Sequence, residues 1–133
     1  MSKRISLTRG QFTIVDDEDY KELNQFNWHA HWCISTKSFY VERRRLKRDP
    51  TGPTGVSMHR FIMDAPKGMQ VDHINHDTLD NRKDNLRICT VSQNAINKGK
   101  NSTNKSGHKG VCWHKRHNKW IAQIRVSGRI LHL

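Results

Sequence analysis

The period of the apolar positions changes along the chain, and each change marks an element. Phe12–Val15 reads as a short strand. Asp16-Asp17-Glu18-Asp19 then supplies the capping and acidic residues of a helix start, ahead of Tyr20, Leu23 and Phe26 at near-helical spacing. From Trp28 to Ile34 the period falls to two, with Trp28, Ala30, Trp32 and Ile34 on one face and His29 and His31 on the other. Phe39–Arg45 reads as the strand that pairs with it, and both tryptophans are expected in the core. The turn-rich run from Asp49 to Gly55 follows. Val56–Asp64 predicts a short helix with Met58, Phe61, Ile62 and Ala65 as its apolar side, ended by Pro66.

The second half repeats this alternation on a shorter scale. Met69–His73 and Leu86–Cys89 read as strands around a loop rich in Asn and Asp, and a helix follows from Val91 to about Lys98. Thr90 with Gln93 three residues later forms a capping box for that helix. Residues 100–107 have linker composition. Gly110–His114, Lys119–Val126 and Ile130–Leu133 then read as three strands, with Ser127-Gly128 as a tight turn. On the middle strand Trp120, Ala122, Ile124 and Val126 share one face, and Lys119, Gln123 and Arg125 share the other.

The expected fold class is therefore α+β: a small mixed N-terminal module over 1–55, a central strand–strand–helix core over 56–99, a linker over 100–107 and an antiparallel three-stranded sheet over 108–133. At 133 residues this is one domain or two small modules with thin cores.

Charge sharpens the picture. The chain holds 24 Lys and Arg against 12 Asp and Glu, a formal balance of +12, so a polyanionic partner is expected. The excess is uneven: residues 1–69 carry 12 basic and 8 acidic side chains, 70–99 carry 4 of each, and 100–133 carry 8 basic and no acidic ones. A neutral centre crowded with His, Asn and Asp lies between two basic ends, as suits catalysis on a nucleic acid. No apolar run approaches the ~18 residues of a membrane span, and no signal-peptide stretch opens the chain. A cytoplasmic protein, neither secreted nor membrane-bound, is expected. Cys33, Cys89 and Cys112 stand apart from any C-x-x-C spacing, which excludes a disulfide framework and a structural zinc of the cysteine type.

The chemistry concentrates in the segment from Val71-Asp72-His73-Ile74-Asn75-His76-Asp77 through Asp80-Asn81-Arg82-Lys83-Asp84-Asn85-Leu86-Arg87 to Ser92-Gln93-Asn94. It resembles the HNH, or ββα-metal, nucleases, in the subgroup with Asn in place of the last His. Asn85 follows His73 by 12 residues and Asn94 follows it by 21, the family's spacing, and the resemblance covers about 40 residues, from His59-Arg60 to Asn97. Hydrolysing a phosphodiester needs a base for water and a cation against the phosphoryl charge. A neutral imidazole suits the base, so His73 takes that role. Hard oxygen donors suit Mg²⁺ or Mn²⁺, with Asp72 as the charged ligand and Asn94 as the neutral one. The resemblance gives Asn85 an orienting role within the loop. Consecutive strand residues point to opposite faces, so Asp72 and His73 serve one site only if the strand ends or twists there.

The resemblance implies a metal-dependent DNA endonuclease similar to phage and intron-encoded homing enzymes, acting on double-stranded DNA in a bacterial or phage-infected cell. A monomer would nick, and a homodimer would cut both strands. The alternatives are a DNA-binding regulator that keeps the HNH scaffold without cutting, and a basic RNA-binding protein. The C-terminal strands resemble the Apetala-type DNA-binding domain, in which a three-stranded sheet lies in the major groove and a helix covers its apolar face; here the chain stops at Leu133, before such a helix. The tail is accordingly expected to be loosely ordered, or packed on the body or on another chain. The expected nucleic-acid contacts are Lys109, Lys115, Arg116, Lys119, Trp120, Gln123 and Arg125 in the tail, and Arg43, Arg44, Arg45, Lys47, Arg48, Arg82 and Arg87 before it. The run 43–48 reads equally as a solvated hairpin end. His29 with His31, and His114 with His117, lack a third zinc ligand in sequence. His59 is open between packing and catalysis; His76 reads as a phosphate contact, a spare ligand or a bystander.

Overall fold

The computed structural model describes residues 1–44, 55–100, 103–126 and 128–132. The fold is α+β and divides into two compact units, Met1–Ile96 and Asn97–Leu133. Among the described residues no helix is long and apolar enough to cross a membrane.

The first unit opens with an antiparallel hairpin, β1 (Ser2–Ser6) on β2 (Phe12–Asp16), with Ile5 opposite Thr13. Strand β1 has no counterpart in the sequence reading, because Ile5 is its only buried side chain and the strand exists through its pairing. Helix α1 (Asp17–Leu23) starts within the acidic run, where carboxylates favour the positive helix end, and stops before Phe26. Strands β3 (His29–Cys33), β4 (Ser38–Arg44) and β5 (Gly55–Ser57) form one antiparallel sheet in that order. Val56 and Ser57 were expected to begin a helix, and Gly55 to end the turn-rich loop; all three form a strand. They pair with Glu42, Arg43 and Arg44, and α2 (Met58–Met63) starts only after them. Trp28 and Ala30 are buried as the alternation requires, but Trp32 is 41% exposed and Ile34 83% exposed, so the inward face runs out of core before the strand ends.

That core consists of Ile5, Val15, Leu23, Trp28, Val41 and Met58, with Leu7, Tyr20, Phe26, Phe61, Ile62 and Leu79 packed against it. It draws on β1, β2, α1, β4 and α2 and reaches the loop after β6 (Gln70–His73) through Leu79. Strand β6 pairs antiparallel with β7 (Leu86–Cys89), Asp72 opposite Arg87 and His73 opposite Leu86, and helix α3 (Val91–Asn97) follows. The capping box is present: Gln93 N donates to Thr90 Oγ1 at 3.2 Å, and Thr90 N donates to Gln93 Oε1 at 2.9 Å.

In the second unit β8 (Val111–His114), β9 (Lys119–Val126) and β10 (Arg129–His132) form an antiparallel sheet with β9 in the middle. Gly110 precedes it with φ +81° and its backbone hard against β9; a Cβ there would meet Gln123 O at 2.7 Å. Register puts Trp113 beside Trp120 and Leu131 beside Ile124 on one face, all exposed. Lys119, Gln123 and Arg125 occupy the other face by alternation along β9.

Candidate functional site

The site is built on the end of β6 and the loop that follows. Strand β6 keeps its alternation to its last residue: Val71 and His73 are buried, while Gln70 and Asp72 are only partly so. The strand ends at His73, and the alternation along it sends Asp72 and His73 toward opposite faces.

On the first face, Asp72 Oδ2 accepts from Arg87 Nη2 at 2.7 Å and from Arg87 Nε at 3.1 Å. Asn94 sits in α3 with its backbone nitrogen bonded to Thr90 O, and its Nδ2 donates to Gln70 Oε1. Gln70 and Asp72 are two residues apart on one strand, so the carboxylate and the Asn94 amide belong to the same face of the hairpin. Among the described residues no three His, Cys, Asp or Glu side chains gather as a metal-binding group. A cation on this face would have one carboxylate and one amide oxygen from the protein, with water and phosphate completing its shell. That donor set fits a hard dication such as Mg²⁺, which keeps most of its water and takes few protein ligands. The Arg87 guanidinium already presents positive charge to the same carboxylate.

On the other face, His73 is 5% exposed and its Nε2 lies 3.2 Å from Asn81 Oδ1. Its ring meets His59 edge-on at 5.2 Å between centroids and Tyr40 at 6.4 Å. Burial pushes the His73 imidazole below its ordinary value, against a smaller upward pull from Asn81 and the carboxylates of Asp72, Asp77 and Asp80. Burial thereby favours the neutral ring, the form able to take a proton.

Loop 74–85 is held from inside and outside. Asn85, 6% exposed, donates Nδ2 to Asp80 O at 2.8 Å, and its Oδ1 accepts from Asn75 N at 3.0 Å. Asp80 is buried and receives Arg82 Nε at 2.8 Å and Nη2 at 2.7 Å, which hold its carboxyl below the usual carboxylate range. Thr78 Oγ1 donates to Phe39 O, tying the loop to β4. Strand β2 ties it from the other side: Ile14 N donates to Leu79 O at 3.0 Å, and Asn81 N donates to Ile14 O at 2.8 Å. Lys83 adds Nζ contacts of 2.8 Å to both Glu18 and Asp19.

The expected nucleic-acid contacts have varied surroundings. Arg43 stacks over Phe26 at 4.2 Å from the ring centroid, and Arg82 and Arg87 are held by Asp80 and Asp72. Arg44, Lys115, Arg116, Lys119, Gln123 and Arg125 are exposed. Trp120 packs edge-on against Trp113 at 5.2 Å, and Lys109 Nζ donates to Lys98 O at 2.6 Å. Arg45, Lys47 and Arg48 lie outside the described residues, as do 49–54 of the turn-rich loop and Ser127 of the tail turn. Sequence reasoning gave no role to Asn81, Asp80 or Thr13, whose polar side chains are buried against the site.

His59 makes a testable contribution. Burial, then the neighbouring His73 and Arg60, push its imidazole from 6.5 down to about 3. Between those values the unfolded chain binds a proton that the folded chain refuses, so stability from this group is complete above 6.5 and is lost as pH falls toward 3. Urea titrations across that range should show a slope about 1.4 kcal/mol per pH unit shallower in His59→Gln than in wild type. Parallel curves would mean that His59 takes up its proton in the folded state.

Comparison with known proteins places this region in a family context. Residues 64–96 match a family model described as HNH endonuclease. The chain is 34% identical over 64 residues to "Protein 3.8" of Escherichia phage T7, covering 48% of this chain and 53% of that protein. It is 29% identical over 126 residues to an uncharacterized HNH endonuclease of Acanthamoeba polyphaga mimivirus, covering 90% of this chain and 58% of that protein. The chain thus spans little more than half the length of these curated relatives. No solved structure matches it.

Proposed function

We propose that the protein is a metal-dependent DNA endonuclease of the HNH type, in which β6, β7 and α3 form a ββα-metal core. The observation that carries this reading is a buried His73 clamped by Asn81 at the end of β6, next in the chain to an Asp72 that shares its face with Asn94. Consecutive Cα atoms lie about 3.8 Å apart, so a phosphodiester at the strand's end meets the imidazole from one side and the carboxylate face from the other. His73 takes the proton of the attacking water. Asp72 and Asn94 would hold a Mg²⁺ or Mn²⁺ ion, which would supply compensating charge for the phosphoryl oxygens. Asn85 keeps the loop beside His73 in shape. Lys119, Gln123 and Arg125 provide a basic strand face for duplex DNA.

Supercoiled plasmid incubated with the full chain and Mg²⁺ should relax to the nicked form, and EDTA should stop the reaction. Nicking by a monomer and linearisation by a dimer are separated by protein concentration. Absence of EDTA-sensitive cleavage with either Mg²⁺ or Mn²⁺ would refute the reading.

One observation favours a second reading, a DNA-binding regulator on the same scaffold: Asp72 already carries the Arg87 guanidinium. That protein would bind duplex with strong salt dependence, survive Asp72→Ala, lose binding on removal of residues 100–133, and never nick.

A further inference from the structure

A chain of buried side chains runs from the N-terminal hairpin to the imidazole. Thr13 Oγ1 lies 2.7 Å from Leu79 O and 2.9 Å from Asn81 Nδ2, and Asn81 Oδ1 lies 3.2 Å from His73 Nε2. Thr13 is 0% exposed, Asn81 1% and His73 5%, so solvent does not compete for these groups.

Donor counting leaves a single arrangement. The Leu79 carbonyl only accepts, and two oxygens at 2.7 Å need a hydrogen between them. Thr13 has one hydroxyl hydrogen, and it goes there. Toward Asn81 the Thr13 oxygen can then only accept, so the amide nitrogen faces Thr13 and the amide oxygen faces His73. That oxygen accepts only, which requires a hydrogen on His73 Nε2. Turning the amide over would set its oxygen against an oxygen with no hydrogen left to give, in a place sealed from water. The backbone fixes the spacing, since Ile14 N to Leu79 O and Asn81 N to Ile14 O bracket the same three residues.

We infer that Thr13 is a positioning residue: acting through Asn81, it holds His73 with a hydrogen on Nε2, so that Nδ1 is the nitrogen that receives the proton of the attacking water. The tautomer follows from the hydrogen bonds alone; its use in catalysis rests on the nuclease reading. A side chain some sixty residues away in sequence thereby selects which edge of the imidazole is basic.

The test is the pair of ring ¹⁵N chemical shifts of His73 in the full chain, in neutral to weakly alkaline solution, assigned by their loss in His73→Gln. Wild type should show a protonated-type Nε2 and an unprotonated-type Nδ1. Thr13→Val removes the hydroxyl at nearly constant shape, frees the amide to turn over and should mix the two tautomers. Thr13→Ser should restore the wild-type pattern. Nicking at saturating DNA should fall roughly ten- to a hundred-fold in Thr13→Val, with KM little changed, and recover in Thr13→Ser. A wild-type spectrum with the hydrogen on Nδ1 overturns the inference without recourse to any variant. So does a folded Thr13→Val with an unmixed spectrum. A wild type that shows the stated tautomer yet fails to nick would sink the nuclease reading and leave the Thr13–Asn81 control of the imidazole standing.

Discussion

Replacing His73 with Ala should lower Mg²⁺-dependent nicking by about two to four orders of magnitude, the usual contribution of a positioned general base. The reason is the state in which the fold holds the ring. An exposed histidine divides between charged and neutral forms near neutrality; this one is pushed toward the neutral form by burial and fixed in orientation by Asn81. The substitution also leaves Asn81 Oδ1 buried and without its imidazole partner, a cost of about 1–3 kcal/mol. Rates are therefore to be compared below the melting temperature of the variant, with circular dichroism confirming the fold. DNA affinity in a gel-shift assay should change little, because His73 is not among the exposed basic groups. The opposite behaviour is expected of Lys119→Ala and Arg125→Ala, which should weaken binding and flatten its salt dependence while sparing the rate at saturation. Cleavage by His73→Ala within a few-fold of wild type would remove this histidine from the mechanism.

What could be read in the sequence divides by the range of the interactions involved. The capping box of Thr90 and Gln93 closes over three residues, and α1 begins where its carboxylates cluster, so both are local and legible. Strand β7 was marked by its own apolar run. Strand β1 was not, because one buried isoleucine among charged and small residues makes no pattern, and its structure comes from pairing with β2. The three residues of β5 are a strand only because Glu42, Arg43 and Arg44 lie beside them. Alternation put Trp28 and Trp32 on one face, but it carries no information on where the core stops, and Trp32 lies beyond that point.

The candidate site shows the same division. Spacing and resemblance picked out Asp72, His73, Asn85 and Asn94. They were silent on what surrounds them. Asp80, Asn81 and Thr13 have the composition of loops and edge strands, and their burial arises when β2 closes over the loop, with Ile14 and Asp80 forming a bridge across more than sixty residues. Arg43 looked like one of a run of phosphate contacts; the stack of its guanidinium on Phe26, Trp28 and Phe61 is a product of three separate segments meeting. A useful signal was present in the loop nonetheless. Polar residues between two apolar strands, in a segment with Leu79 and Leu86 to anchor it, must be satisfied by one another once it is buried.

Asn85→Ala should be the most costly single change in that loop. Its side chain makes one bond at each end of a tight turn, to Asn75 N and to Asp80 O, while its own backbone bonds Ile74 N at 2.9 Å and Arg82 O at 3.0 Å. Alanine keeps the backbone pair and removes both side-chain bonds, leaving a loop amide and a loop carbonyl to find other partners. At about 1–3 kcal/mol for each buried polar group left unsatisfied, the expected loss is roughly 2–4 kcal/mol, read as a lower urea midpoint at unchanged m-value. Asn85→Asp separates the two bonds. A carboxylate still accepts from Asn75 N but faces the Asp80 carbonyl with no hydrogen to donate, so it should be at least as unstable as the alanine variant despite its closer shape. Asn81 sits between Asp80 and Arg82 in the same loop, so slackening there also releases the oxygen that meets His73, and nicking should fall with DNA affinity unchanged. A stability change within about 0.5 kcal/mol, the range of ordinary surface substitutions, would show that β2 and Thr78 hold the loop from outside and that the Asn85 clamp is redundant.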